Sequence, residues 1–308
     1  MIITVTMNPA IDKTAEIHKL DHGGLNRLEN VIIDAGGKGI NVSKTIQELG
    51  GKSIATGFIG GIGGLQIRKA LLELGIRTDL VEIKNEIRTN MKLLEADGSV
   101  TELNEPGPFV YKMELEILTS KLLKYADENA IFILAGSIPD GISKDIYKNL
   151  TRRLKERGAK VFLDADGELF RNALEEAPDI IKPNRKELEE YFHKNYRADD
   201  DELILMGRQL LKKGIGLIAI SLGQMGALFL TKDKVYRCPG LKVEAHSTVG
   251  AGDAMVAALS YGINKGLSLE ECFKLAIATS AGAVTTKGTN PPKWELVEEL
   301  MKKVEVIT

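Results

Sequence analysis

Short apolar runs alternate with amphipathic stretches along most of this chain. Ile131-Phe132-Ile133-Leu134-Ala135, closed by Gly136, carries no polar alternation and has the length of a strand buried on both faces. Beyond it, Ile142, Ile146, Leu150 and Leu154 recur every four residues, one face of a helix, and Gly158 ends that helix. Val161-Phe162-Leu163-Asp164 returns as the next strand. The unit repeats with Ile180-Ile181-Lys182 and a helix from Lys186, then with Leu217-Ile218-Ala219-Ile220-Ser221. Such alternation predicts an α/β fold with a mostly parallel sheet and helices on both faces. Ala254-Met255-Val256-Ala257-Ala258-Leu259 is too evenly apolar for a surface helix and reads as one buried in the core.

The first half mixes two textures. A helix from about Ile40 to Leu49, closed by Gly50-Gly51, leads into the strand Ile54-Ala55-Thr56-Gly57-Phe58. Residues 15–34 and 87–103 instead alternate over short distances, with turns at His22-Gly23-Gly24 and Ala96-Asp97-Gly98-Ser99. Asp-Gly between Met91–Leu94 and Val100–Leu103 signals a hairpin. These two segments are expected to pair into a small β flap outside the parallel sheet. Asp199-Asp200-Asp201-Glu202 reads as a solvated helix start.

Composition narrows the class without naming a function. The 308 residues are 44% hydrophobic and 27% charged, with a net charge of −2, as in ordinary globular enzymes and binding proteins. Positive and negative side chains are interspersed, so neither nucleic acid nor an anionic membrane is expected as main partner. No apolar run reaches spanning length. Cys238 and Cys272 are isolated, the four histidines show no paired metal spacing, and Ile2–Thr6 opens as a strand without a targeting pattern. A cytoplasmic location is the expectation.

Ligands of open α/β sheets collect beyond the carboxyl ends of the strands, and several polar clusters fall there. Val249-Gly250-Ala251-Gly252-Asp253 leads into the buried helix, whose first turn would aim free N–H groups and the positive end of its dipole outward. Gly250, Ala251 and Gly252 read as an anion hole with Asp253 as a base beside it; the plainer reading makes Asp253 a helix cap. Asp12, after Asn8-Pro9-Ala10-Ile11, could bind two sugar hydroxyls or stabilise a turn. Gly36-Gly37-Lys38-Gly39-Ile40-Asn41 allows close backbone approach and adds a cation and an amide. Lys182-Pro183-Asn184 with Glu187 has capping-box spacing, and Asn184 and Glu187 could also hold water around Mg2+. Ser221-Leu222-Gly223-Gln224-Met225-Gly226 is either a hairpin turn or a nucleotide-binding turn. Two other glycine-rich stretches miss their motifs. Ile46 stands where a Walker loop ending in Gly51-Lys52-Ser53 needs glycine, and Gln66 breaks a dinucleotide fingerprint over Gly61 and Gly63.

Taken together and in this order, Asn8–Asp12, Gly36–Val42, Lys182–Asn184, Ser221–Gly223 and Val249–Asp253 resemble the ribokinase-like (pfkB-type) carbohydrate kinases over essentially the whole chain. Leu103-Asn104-Glu105-Pro106-Gly107-Pro108 and Gly-Gly-Lys-Gly are similar to the 1-phosphofructokinase branch, with tagatose-6-phosphate kinases close by. The resemblance implies a doubly wound α/β domain over 1–308 with a β lid from about 12–34 and 87–104, and a homodimer built through that lid. It implies MgATP and a sugar phosphate as ligands, fructose 1-phosphate first. It assigns Asp253 as base, Gly250, Ala251 and Gly252 as anion hole, and Asp12, Gly37, Gly39 and Asn41 to the sugar. Lys38 and Arg88, with Arg27 as an extra contact, are assigned to the distal phosphate. Lys182, Asn184, Ser221, Gly223, Gly226 and Gly252 go to the nucleotide, with adenine near Ala278, Ala281, Gly282 and Ala283. Asp166 departs from the branch, which often has Ser there, and receives no role. The competing readings are a dinucleotide-dependent oxidoreductase and a non-catalytic sugar-phosphate sensor.

Overall fold

The computed structural model describes residues 1–308. From the N-terminus the chain forms β1 (Ile2–Thr6), β2 (Ala10–Ile17), β3 (Glu29–Gly36), α1 (Lys38–Glu48), β4 (Ser53–Ile59), α2 (Gly61–Glu73) and β5 (Arg77–Glu82). It continues through β6 (Arg88–Glu95), β7 (Val100–Asn104), α3 (Lys112–Tyr125), β8 (Ile131–Ala135), α4 (Ile146–Lys155) and β9 (Lys160–Asp164). Then come α5 (Gly167–Ala173), β10 (Ile180–Ile181), α6 (Arg185–Tyr191), α7 (Asp200–Leu211), β11 (Leu217–Ser221) and β12 (Ala227–Thr231). The last elements are β13 (Val235–Cys238), α8 (Ala251–Lys265), α9 (Leu269–Ala283) and α10 (Trp294–Met301).

Nine strands form one sheet in the order β13-β12-β11-β10-β9-β8-β1-β4-β5. It is parallel from β5 to β11, while β12 and β13 fold back antiparallel. Successive strand residues serve opposite cores, as the two-residue period requires. Phe132 and Leu134 join a cluster of 36 buried residues under α3 to α7, whereas Ile133 and Ala135 join one of 28 under α1, α8, α9 and α10. Both faces are therefore covered, which is why β8 reads as an unbroken apolar run. The chain leaves β1 toward β4 on one side and resumes at β8 on the other, so the strand order reverses beside β1.

The remaining strands make a second sheet, ordered β3-β2-β6-β7. The Asp97-Gly98 signal corresponds to the β6–β7 hairpin, with Gly98 at φ +85°. Ile11 and Ile87 from this sheet's base pack with Ile67 and Leu71 of α2, fixing it against the larger body.

Three local expectations shift. The helix expected from Ile142 begins at Ile146, because Gly141 at φ +85° packs under the Val110 carbonyl and residues 141–145 turn; Ile142 still faces the core. Helix α1 begins at Lys38 rather than Ile40, so Lys38, Gly39 and Asn41 lie within its first turns. Asp12 lies inside β2 of the smaller sheet rather than in a loop after β1. The acidic run 199–202 does start a helix, with an Asp199–Glu202 capping box. No helix is long and apolar enough to cross a membrane.

Candidate active site

The ends of β1, β8, β9, β10 and β11 open onto a cleft of about 1190 Å3, roofed by one face of the smaller sheet. Buried side-chain atoms with no hydrogen-bond partner in the chain gather along it. Thr6 Oγ1, Asn8 Oδ1, Asn41 Oδ1, Arg88 Nε, Asn90 Oδ1 and Asp164 Oδ2 all belong to lining residues. Unsatisfied buried polar groups cost stability, and their concentration at one place marks a surface built for a polar ligand.

At one end stands the start of α8. Gly250, its N-cap, has φ +85°, a left-handed conformation that favours glycine, and no side chain caps the helix. The free N–H groups of the first turn therefore remain directed at the cleft. Asp253 lies in that turn but does not cap it: its Oδ2 accepts from Asn41 Nδ2 at 2.9 Å. Burial and, next, the neighbouring Asp164 push the Asp253 carboxyl up to about 6, against the opposing pull of Lys38, Asn41 and Lys182. Lys38 Nζ and Lys182 Nζ approach the same Asp164 oxygen at 3.3 and 3.2 Å. Burial alone would raise Asp164, yet the two ammonium groups hold it below the usual carboxylate range. Asp164 in turn raises Lys38 despite its burial. Lys182 lies close against this turn, since a Cβ on Gly252 would stand 3.3 Å from its Nζ.

Toward the smaller sheet, Asn90 Nδ2 donates to Asp12 Oδ1 at 3.0 Å, and Lys92 Nζ lies 4.0 Å from Asp12 Oδ2. Arg88 donates from Nη1 to the Glu105 carbonyl and from Nη2 to the Asn8 carbonyl, both at 3.3 Å, and lines the cleft. Gly37, the α1 N-cap at φ +115°, lines it too. Asn90 and Lys92 were not foreseen from the sequence. Their signal is the polar alternation Arg88, Asn90, Lys92, which puts three hydrophilic side chains on one strand face.

At the other end, Ser221 and the Gly223–Met225 turn join β11 to β12, so the segment is a hairpin turn that also borders the cleft. Asn184 and Glu187 form the expected capping box: Glu187 N donates to Asn184 Oδ1 at 2.9 Å, and Asn184 N and Nδ2 donate to the Glu187 carboxylate. Both residues still line the cleft, and burial raises the Glu187 carboxyl. Asp166 lines it with an exposed side chain that does not cap α5.

Several expected contacts lie elsewhere. Gly39 is a packing glycine: its Cβ would meet Thr6 Oγ1 at 2.5 Å and Val5 O at 3.0 Å, so it seats α1 on β1 and does not face the cleft. Lys38 turns to Asp164, beside Lys182 and the α8 start. Of the four small residues on α9 expected near adenine, Ala281 lines the cleft, Ala278 and Ala283 are buried, and Gly282 packs on Pro292. Arg27 is exposed and outside it. The glycines at 60–64 serve a different purpose. Helix α2 begins there, and Ile62 N and Gly63 N donate to the Glu86 carboxylate at 2.9 and 2.8 Å, so an internal anion fills that helix start.

Comparison with known proteins agrees with this geometry. A family model described as pfkB family carbohydrate kinase matches residues 2–296. The 1-phosphofructokinase of Borreliella burgdorferi is 35% identical over 307 residues, covering 99% of this chain and 98% of that one. A tagatose-6-phosphate kinase of Staphylococcus epidermidis is 32% identical over 309 residues, covering 100% and 99%. Phosphofructokinase-2 from Escherichia coli, solved with substrates and products, superposes with a TM-score of 0.93 at 26% identity, covering 98% of each chain. The chain belongs to the pfkB family of carbohydrate kinases and is a phosphotransferase.

Proposed function

We propose that this enzyme transfers the γ-phosphoryl group of ATP to the C6 hydroxyl of fructose 1-phosphate, giving fructose 1,6-bisphosphate and ADP. The observation that carries the reading is Asp253, a buried carboxylate pushed up to about 6 beside an uncapped helix start. A base with that affinity for protons is ionised at neutral pH yet accepts a proton readily.

In the proposed step Asp253 takes the proton from the C6 hydroxyl as its oxygen bonds to the γ-phosphorus, and the bond from that phosphorus to the β–γ bridging oxygen breaks. ADP departs with the electron pair. The transition state is loose, so alignment and charge neutralisation dominate. The N–H groups at the start of α8, with Gly250, Ala251 and Gly252 close in, absorb the developing charge together with Lys182 and Lys38. Asp12, Gly37 and Asn41 hold the sugar, and Arg88 takes the distal phosphate. Ser221, Gly223 and Gly226 shape the nucleotide end. Oxygen donors at Asn184 and Glu187, with the unpartnered Asp164 Oδ2, suit Mg2+, which keeps most of its waters. Bound with the nucleotide, that ion supplies further neutralisation of phosphate charge.

The smaller sheet serves as a lid in this reading, and its outer face as a homodimer contact. Val31, Ile33 and Leu103 alternate away from the cleft-facing residues and are 48%, 58% and 53% exposed. Two free, buried thiols, Cys238 and Cys272, fit a reducing cytoplasm.

A coupled assay of ADP release across a panel of sugar phosphates tests the proposal. Fructose 1-phosphate is expected to give the highest kcat/KM. Preference for tagatose 6-phosphate overturns the substrate assignment, and no turnover with any sugar phosphate overturns the reading itself.

A further inference from the structure

Asp12 faces a second carboxylate. In the register of the smaller sheet it lies directly opposite Asp34 of β3 on one side and Asn90 of β6 on the other. Like charges directly opposite one another destabilise an antiparallel pair. Burial strengthens the repulsion, and Asp12 is only 6% exposed. Its carboxylate is hemmed in, because a Cβ on Gly36 would overlap it. Asp34 does not border the cleft, so it reaches the site as a charge beside Asp12 and not as a ligand contact.

Two ammonium groups answer the two carboxylates. Lys92, two residues beyond Asn90 and on the same strand face, is itself buried and comes to 4.0 Å from Asp12 Oδ2. Lys44 of α1, also buried, donates to the Ala35 carbonyl at 3.1 Å and to Thr289 Oγ1 at 3.3 Å; burial lowers its affinity for the proton, and Asp34, Asp12 and Asp253 oppose that shift. Asp12, Lys92 and Lys44 are buried and Asp34 is half-buried, so two carboxylates and two amines share the base of the smaller sheet. Removing Lys92 leaves the buried Asp12 facing a second carboxylate without its nearest counter-charge, which burial makes expensive, whereas the half-buried Asp34 is cheap to neutralise.

We propose that Lys92 is a positioning residue for Asp12: its ammonium offsets the Asp34 carboxylate and keeps Asp12 directed at the sugar hydroxyls. This rests on the reading of Asp12 as a sugar-holding residue. A direct contact between Lys92 and the substrate phosphate is the competing role, and it responds differently to changes at Asp34.

Steady-state kinetics of wild type, Lys92→Met, Asp34→Asn and the double variant separate the two. Lys92→Met is expected to raise the sugar-phosphate KM about tenfold while the ATP KM stays put, and Asp34→Asn alone to stay near wild type. Adding Asp34→Asn to Lys92→Met should recover most of the loss, because the repulsion has gone. A double variant as impaired as Lys92→Met overturns the proposal. So does a Lys92→Met enzyme that no longer prefers phosphorylated over unphosphorylated fructose, which would mark a phosphate ligand. Should Lys92→Met fail to fold, the charge-balanced double variant decides alone: a near-wild-type sugar KM supports the proposal and a raised one overturns it. Asp12→Asn is the separate control, since an unchanged sugar KM there removes the reading of Asp12 and not merely the role of Lys92.

Discussion

Asn41 donates from Nδ2 to Asp253 Oδ2 at 2.9 Å, linking the first turns of α1 and α8 across 212 residues of sequence. The bond does two things at once. It aims the carboxylate into the cleft instead of back at its own helix, and it favours the ionised form. Burial acts the other way and wins, leaving a base whose proton affinity sits just below neutrality.

The pH dependence follows from that balance. Because the base must be ionised, kcat/KM is expected to rise as pH rises through about 6 and to level off above it. Asn41→Ala removes a hydrogen bond that favours ionisation, so its acid limb should move to higher pH. Paired pH profiles with saturating ATP provide the check.

Asp253→Asn is expected to cut kcat by roughly a hundred- to ten-thousand-fold, with both KM values little changed. Single-turnover product formation measures it. A residual rate near wild type would remove Asp253 from the role of base.

The same substitution should make the fold more stable under alkaline conditions. The folded-state value of about 6 lies above the unfolded value of 3.8, so the native state holds this proton more tightly. The resulting stability is fully present below the unfolded value and is lost as pH rises through about 6. At pH 8 the ionised carboxylate then costs on the order of 2–3 kcal/mol. Thermal unfolding should show Asp253→Asn ahead of wild type at pH 8 and level with it at pH 4.

Gly39→Ala separates packing from ligand contact. The added methyl group meets Thr6 Oγ1 at 2.5 Å and Val5 O at 3.0 Å, so a loss of about 1–3 kcal/mol in unfolding free energy is expected. Denaturant titration measures the loss directly.

Arg88→Met tests the distal end. Loss of a charged donor should raise the sugar-phosphate KM about tenfold or more and leave the ATP KM unchanged. Kinetics with each substrate varied in turn give the answer.

The large sheet and its covering helices were legible because burial on both faces leaves strands such as β8 purely apolar, and because Ile146, Leu150 and Leu154 mark one helix face. Helix starts were less so: the onset of α4 depends on Gly141 fitting beneath Val110, a contact made at a distance in sequence. Asp253 and Asn41 stood out through their glycine-rich settings, and Asp12 through its place after the Asn-Pro turn that follows the first strand. Lys92 and Asn90 did not, since a polar residue on a strand looks solvated until another layer is placed over it. The side-chain direction of Lys38 was equally hidden, because Asp164, which draws it, belongs to a strand 126 residues away.

Glu86 has a consequence for how a polyanion finds its place. Three helices in this molecule begin at glycine N-caps with no side-chain cap, α2, α1 and α8, and each could attract phosphate from solution. By lending its own carboxylate to the first, the protein plugs it from within. An incoming triphosphate thus finds open glycine-capped helix starts only at the cleft, on α1 and on α8, where the base waits.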